Sequence, residues 1–129
     1  MAKLNIECRI NNTLSIKLMN VQQVYGHDDS LPYNADVYVC DLEHDLPCFT
    51  KVATAWNDGW GGPSCVSAHL PKYNEYLKEL DKYLKENFKV DYETISWDLS
   101  LEELVEYLAC IAVDGGGPTA LMTEIAKHK

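Results

Sequence analysis

The chain has 129 residues and a formal net charge of −9, and 47% of its residues are hydrophobic while 24% are charged. This length suits one hydrophobic core, and this composition is typical of a globular domain and excludes a disordered chain, so we expect a single domain over residues 1–129. No apolar run approaches the roughly 18 residues that span a bilayer, which argues against a membrane protein.

The cellular compartment is predicted from the start of the chain and from the cysteines. The opening residues MAKLNIECRI lack the basic and then apolar pattern of a secretory signal. Five cysteines is an odd number, whereas a secreted disulfide framework normally pairs its cysteines. Both features predict a cytoplasmic protein.

The first half of the sequence has the two-residue hydrophobic period of β-strands. Apolar and polar residues alternate over residues 4–10 and again over residues 14–18. Asn11 and Asn12 lie between these runs, and asparagine tolerates positive φ, so the chain is predicted to open with a β-hairpin. After a predicted loop at residues 21–34, further strands are expected at residues 35–43, 48–56 and 64–70.

The second half changes to the period of amphipathic helices. Aromatic and leucine residues recur at helical spacing after Pro71, which predicts a helix over about residues 71–88. The link that follows holds four apolar residues between positions 90 and 97. We expect one more short strand there.

Ser100 and Glu103 have the spacing of a capping box, in which each side chain accepts from the backbone amide of the other residue. A second amphipathic helix is predicted to begin there and to end at the glycines of residues 114–118, with a short terminal helix after Pro118. Strands followed by helices predict an α+β fold. Its N-terminal antiparallel sheet has about four to six strands, and two C-terminal amphipathic helices and the short terminal helix pack on it.

The acidic residues are concentrated in two segments. Six acids and no Lys or Arg lie between Lys17 and Lys51, and eight acids and no Lys or Arg lie between Lys89 and Lys127. Such a surface repels phosphates, which argues against direct nucleic-acid binding, and attracts a basic protein. The alternative is a charge that serves solubility alone. The predicted partner-binding residues are Glu102, Glu103 and Glu106.

The sequence therefore favours a small acidic interaction protein that is not an enzyme and that binds a basic protein partner. One form of this hypothesis is an inhibitor that imitates nucleic acid in the basic groove of its partner. Eight tyrosines and three tryptophans exceed what a core of this size hides, which also suggests a homodimer.

The stretch WNDGWGGPS, residues 56–64, supports a different hypothesis. Its tryptophans offer stacking surfaces and its polar residues offer hydrogen bonds, as in a small-ligand-binding domain or a weakly featured enzyme. A structural turn is the alternative, because glycine readily takes the positive φ that such turns require. The candidate ligand-binding residues are Asn57, Asp58, Trp60, Gly61 and Gly62.

Metal binding and cysteine catalysis are also considered. Cys65 with His69 lacks the distant histidine and the helical cysteine of cysteine hydrolases, so no catalytic residue is assigned. Five soft ligands near the third to fifth strands make a zinc-binding domain a further alternative. The absence of a Cys-x2-Cys knuckle argues against it, and no metal or cofactor is predicted. Those five residues are Cys40, His44, Cys48, Cys65 and His69.

Overall fold

The computed structural model describes residues 4–23, 33–57, 64–92 and 94–114. These residues form a five-stranded sheet, a separate two-stranded hairpin and two α-helices, so the predicted α+β class is confirmed. The terminal helix expected after Pro118 lies outside the described residues, as do positions 58–63 of the predicted binding loop.

The five-stranded sheet is an antiparallel meander in which each strand pairs with the next in sequence. The opening β-hairpin is as predicted, although its second strand continues to Gln23 instead of ending at Leu18. The fourth strand, expected at residues 48–56, begins earlier, at Leu46, and therefore includes Pro47. The strands are β1 (Leu4–Arg9), β2 (Leu14–Gln23), β3 (Tyr33–Asp41), β4 (Leu46–Asn57) and β5 (Cys65–Ala68).

One face of the sheet is buried, and two irregular pairings keep the apolar residues on that face. Asn20 takes a φ of 58° where the register between β2 and β3 shifts, so Leu18 and Val21 are both buried although they are three residues apart. Val52 is an extra residue in the β3–β4 ladder, which lets the adjacent Val52 and Ala53 both face inward. The positive φ expected at Asn11 or Asn12 is therefore found at Asn20 instead.

The first helix begins with a 3₁₀ turn at Pro71–Tyr73 and continues as α1 (Asn74–Asn87). The amide of Tyr73 donates to the carbonyl of Leu70 at 2.9 Å, which is the tighter bond of a 3₁₀ turn. Helix α2 (Leu101–Asp114) contacts β1, β2 and β5. Buried side chains of both helices join the inward face of the sheet in a single hydrophobic core.

The link between the helices is a hairpin of β6 (Lys89–Tyr92) and β7 (Ile95–Asp98), not the single strand expected there. Its base is fixed by the amide of Leu99, which donates to the carbonyl of Phe88 at 3.1 Å. Both side chains are buried, so the chain leaves the core after α1 and returns to it before α2. Neither α1 nor α2, the helices of the described part of the chain, is long and apolar enough to cross a membrane.

Candidate functional site

The predicted capping box is present at the start of α2. The amide of Glu103 donates to Oγ of Ser100 at 3.1 Å, and the amide of Ser100 donates to Oε1 of Glu103 at 3.4 Å. The other carboxylate oxygen of Glu103 accepts from the indole Nε1 of Trp97. Glu103, one of the predicted partner-binding acids, is thus fixed in position by three groups.

Glu106, one turn later, links α2 to both ends of the predicted binding loop. Its Oε1 accepts from Oγ of Ser64 at 2.9 Å and from Nδ2 of Asn57 at 3.2 Å. Asn57 is 3% exposed and Ser64 is 5% exposed, so this contact is largely shielded from water. The sequence assigned Asn57 and Glu106 to two different hypotheses, and the fold brings them together.

The neighbouring Trp56 does not join this contact, because successive residues of a strand point to opposite faces of the sheet. Trp56 lies on the other face, where it is 38% exposed and pairs across the strands with Cys65. Asp58, Trp60, Gly61 and Gly62 lie outside the described residues. Of the five predicted loop residues, the structure therefore describes only Asn57, whose side chain donates a hydrogen bond to Glu106 of α2.

Tyr33 lies in the same region and was missed by the sequence analysis, which assigned it to a loop. Its side chain is fully buried, and its hydroxyl makes no hydrogen bond of good geometry within the described residues. Burial raises the pKa of Tyr33 to about 12. The nearby hydroxyl of Ser64 acts in the opposite direction, and the charge of Glu106 adds to the rise. Inward-facing residues alternate from Tyr33 to Asp41. Starting the predicted third strand two residues earlier, at Tyr33, would have placed this side chain in the core.

An acidic groove runs beside these residues. One cleft of about 320 Å³ lies between β5, α1 and the start of α2, and a second of about 280 Å³ continues along α2. Glu102 lines both clefts. We define the acidic groove by its four carboxylates and two of its three serine hydroxyls: Asp81, Glu102, Glu103, Glu106, Ser64 and Ser100.

The charged side chains of this groove differ in how far they are already paired. Lys78 is the basic residue among the residues that line the two clefts, and its Nζ lies 3.4 Å from Oε1 of Glu75. Asp81 accepts from the amide of Leu101 at 2.8 Å and pairs with Lys85, also at 2.8 Å. Glu102 has no hydrogen bond or salt bridge within the described ranges. Its charge acts on the nearby Lys85, whose pKa is raised mainly by Asp81 and to a smaller extent by Glu102.

A second cluster of ionisable residues joins the end of β3 to α1. Asp41 is only 4% exposed, and its Oδ2 accepts from the hydroxyl of Tyr76 at 2.7 Å and lies 2.9 Å from Nδ1 of His44. The opposite ring nitrogen, Nε2, lies 3.3 Å from Oε2 of Glu79. Burial and then the bond to Asp41 raise the pKa of Tyr76, so this phenol stays neutral.

The second cluster does not supply a free imidazole. The hydrogen bond to Asp41, followed by the charges of Asp41 and Glu79, raises the pKa of His44 above its usual value. With a carboxylate beside each ring nitrogen, the imidazole is stabilised as a cation that donates from both nitrogens. In that state His44 has no lone pair for a metal ion or for proton abstraction.

The remaining candidate metal ligands do not form a centre. No group of three or more His, Cys, Asp or Glu side chains that could hold a metal ion occurs in the part of the chain that the structure describes, which includes all five candidates. Cys48 is exposed at a φ of 57°, and Cys65 is exposed on β5 rather than at a helix N-terminus. The zinc alternative therefore has no geometric support here.

Comparisons of the chain with protein-family models, with curated proteins and with solved structures find no match. The class of protein is defined by its own features. It is a small α+β protein with a five-stranded antiparallel meander, two described helices and an acidic groove at the start of the second helix.

Proposed function

We propose that this protein is a non-enzymatic interaction protein that binds a basic segment of a protein partner in the acidic groove. The observation that carries this proposal is the carboxylate of Glu102, which lines both clefts without a hydrogen bond or salt bridge among the described residues. Arginine or lysine side chains are the natural complement of such a groove, since charge-assisted hydrogen bonds to carboxylates are strong.

The other groove carboxylates support the proposal because they are already fixed. Asp81, Glu103 and Glu106 each accept hydrogen bonds within the protein and keep lone pairs for a further donor. A partner would therefore order few side chains on binding, which lowers the entropic cost of association. The net charge of −9 adds long-range attraction that salt weakens.

The proposal has a narrower form in which the protein imitates nucleic acid. The basic groove of its partner would then bind either nucleic acid or this protein, but not both. Competition between an oligonucleotide and this protein for the captured partner tests that form directly. Simultaneous binding would exclude the imitation and leave the basic partner.

The acidic groove is tested by a charge reversal at Glu102. We expect Glu102→Lys to weaken binding of a basic partner about tenfold or more, because it places a cation between the two clefts. The matched control is Glu86→Lys, which makes the same charge change at an exposed position of α1 outside the groove. Capture from the native host's lysate at low and high salt is compared for the wild type and both variants.

A defined probe makes the test independent of the lysate. Chemical shifts of backbone amides are followed while an oligo-arginine peptide is added, with an oligo-glutamate peptide as the control. Changes that cluster at Ser64, Ser100 and Glu102 in the wild type and disappear in Glu102→Lys support the groove. Equal loss of capture in Glu86→Lys would mean that only net charge matters, and the groove assignment would then be wrong.

The binding-loop hypothesis remains a second candidate because Glu106 holds both ends of that loop. A ligand site on this loop would therefore have two anchored ends, and anchored positions lower the cost of ordering a binding site. The two candidates differ in one comparison: Trp60→Ala removes a stacking surface of the loop, whereas Glu102→Lys changes the groove. Binding that fails only in Trp60→Ala would move the function to the loop.

A cytoplasmic location and a homodimer belong to the same proposal. Large apolar side chains are exposed at several places, including Leu42 at 59% and Ile95 at 60%, and the chain is rich in tyrosine and tryptophan. Single exposed apolar side chains are common on monomers, so the homodimer proposal rests on the tyrosine and tryptophan content. Analytical ultracentrifugation over a range of concentrations decides between monomer and dimer.

A further inference from the structure

The second ionisable cluster joins three separate parts of the chain. Asp41 ends β3, His44 lies in the 3₁₀ turn Leu42–His44 that follows, and Tyr76 and Glu79 lie on the first half of α1. A small, partly open cavity of about 50 Å³ lies beside them. The cluster is therefore a contact between the sheet and α1, separate from the acidic groove.

The charged groups around His44 are all acidic. Asp41 and Glu79 face its two ring nitrogens, and Glu43 lines the same cavity. The other polar groups that line it are Asn11 and the hydroxyls of Tyr76 and Tyr83, and among the residues that the structure describes no lysine or arginine lines it. The next residue, Asp45, is a further exposed acid. The hydrogen bond to Asp41 and the charges of Asp41 and Glu79 favour the imidazolium and outweigh the partial burial of the ring, which favours the neutral form.

We propose that Asp41, His44, Tyr76 and Glu79 form a pH-sensitive clasp, which ties the end of β3 to α1 while His44 is a cation and loosens when His44 becomes neutral. A neutral imidazole donates from one nitrogen only, so it cannot hydrogen-bond to both carboxylates. The Glu79 contact is expected to break first, because Glu79 is exposed whereas Asp41 is buried and also holds Tyr76.

The direction of the pH effect follows from the raised pKa of His44 in the folded protein. The clasp contributes its full stabilisation below the ordinary histidine pKa of about 6.5, where His44 is charged in both folded and unfolded chains. That stabilisation is lost as the pH rises through the folded-state pKa. The folded protein therefore loses stability on the alkaline side through this group.

Nitrogen-15 NMR of the imidazole tests the clasp in the full chain. We expect the titration midpoint of His44, followed through both ring nitrogens, to lie above the ordinary histidine value of about 6.5. Amide signals of residues 42–45 and 76–80 are expected to move with the same midpoint. A midpoint at or below about 6.5 overturns the proposal.

Two matched variants on α1 separate the clasp from general electrostatics. Glu79→Gln removes the carboxylate beside Nε2 and is expected to lower the His44 midpoint by about half a pH unit. Glu75→Gln removes the same charge from an exposed residue that pairs with Lys78 instead, and it is expected to leave the midpoint unchanged. Equal midpoints in the two variants would overturn the clasp.

Thermal unfolding gives a second readout. The melting temperature of His44→Gln is expected to fall below that of the wild type in mildly acidic buffer, and the gap is expected to close as the pH rises past the His44 midpoint. A gap that stays constant with pH overturns the proposal. If His44→Gln does not fold, the comparison of Glu79→Gln with Glu75→Gln decides in its place.

Discussion

At the scale of single residues, Asn11 shows how one side chain serves both a turn and a tertiary contact. Its Oδ1 accepts from the amides of Thr13 and Leu14 and from the hydroxyl of Thr13, at 2.8 to 3.0 Å. Its Nδ2 donates to the hydroxyl of Tyr83 on α1 at 2.9 Å. Asn11 was expected to turn the chain through its backbone conformation, but it does so through its side chain.

Asn11→Ala is expected to lower the free energy of unfolding by about 1–3 kcal/mol, because it leaves part-buried amides without their acceptor. Asn11→Asp keeps the acceptor and loses only the donor to Tyr83, so its loss should be smaller. Urea unfolding measures both variants. If Asn11→Ala and Tyr83→Phe destabilise equally, the turn bonds contribute nothing measurable and this interpretation fails.

At the scale of elements, the two helices begin in different ways. Helix α1 follows a 3₁₀ turn and has no side-chain cap, whereas α2 has the capping box of Ser100 and Glu103. Asp81 of α1 also accepts from the amide of Leu101 at the first position of α2. Two of the amides at the start of α2 that lack an acceptor within the helix thus bond to side chains. One of these side chains, Asp81, belongs to α1.

Ser100→Ala is expected to destabilise the protein by about 1 kcal/mol, since it removes the acceptor for the amide of Glu103. Ser100→Asp restores an acceptor at the cap and should recover most of that loss. Chemical denaturation and far-UV circular dichroism measure the effect. Equal stability of Ser100→Ala and the wild type would show that Asp81 alone is sufficient to cap α2.

At the scale of the whole molecule, much of the negative charge has a structural role. Asp36 pairs with Lys51, Asp41 is buried beneath His44 and Tyr76, and Glu103 and Glu106 hold neighbouring elements. The formal charge of −9 therefore overstates the charge that is available to a partner. Substitutions at Glu103 or Glu106 would confuse lost folding with lost binding, whereas Glu102 separates the two.

The single core predicts a clear contrast between two apolar residues. Leu104 of α2 is fully buried in that core, while Ile95 of β7 is 60% exposed. Leu104→Ala is expected to cost about 2–5 kcal/mol of stability. Ile95→Ala should stay within about 0.5 kcal/mol of the wild type. Similar losses in the two variants, measured by thermal unfolding, would contradict a core that α2 shares with the sheet.

The sequence by itself determined the features that depend on neighbours a few residues apart. The alternation of residues 4–10, the helical period after Pro71 and the capping box of Ser100 and Glu103 are all present in the structure. These features rest on backbone geometry and on side chains within one turn of each other. The single strand expected at residues 90–97 was wrong. In so short a segment the hydrophobic period covers too few residues to reveal that the chain reverses direction.

Only the tertiary structure decided which distant residues meet. Glu106 bonds to Asn57 and Ser64 across 49 and 42 positions of sequence, and Tyr76 bonds to Asp41 across 35. The hydrophobic period of a single strand or helix does not predict such pairs, because they depend on how the helices cross the sheet. Packing therefore gave two of the predicted partner-binding acids, Glu103 and Glu106, bonds to other elements, placed Glu102 in the groove, and set a carboxylate beside each ring nitrogen of His44.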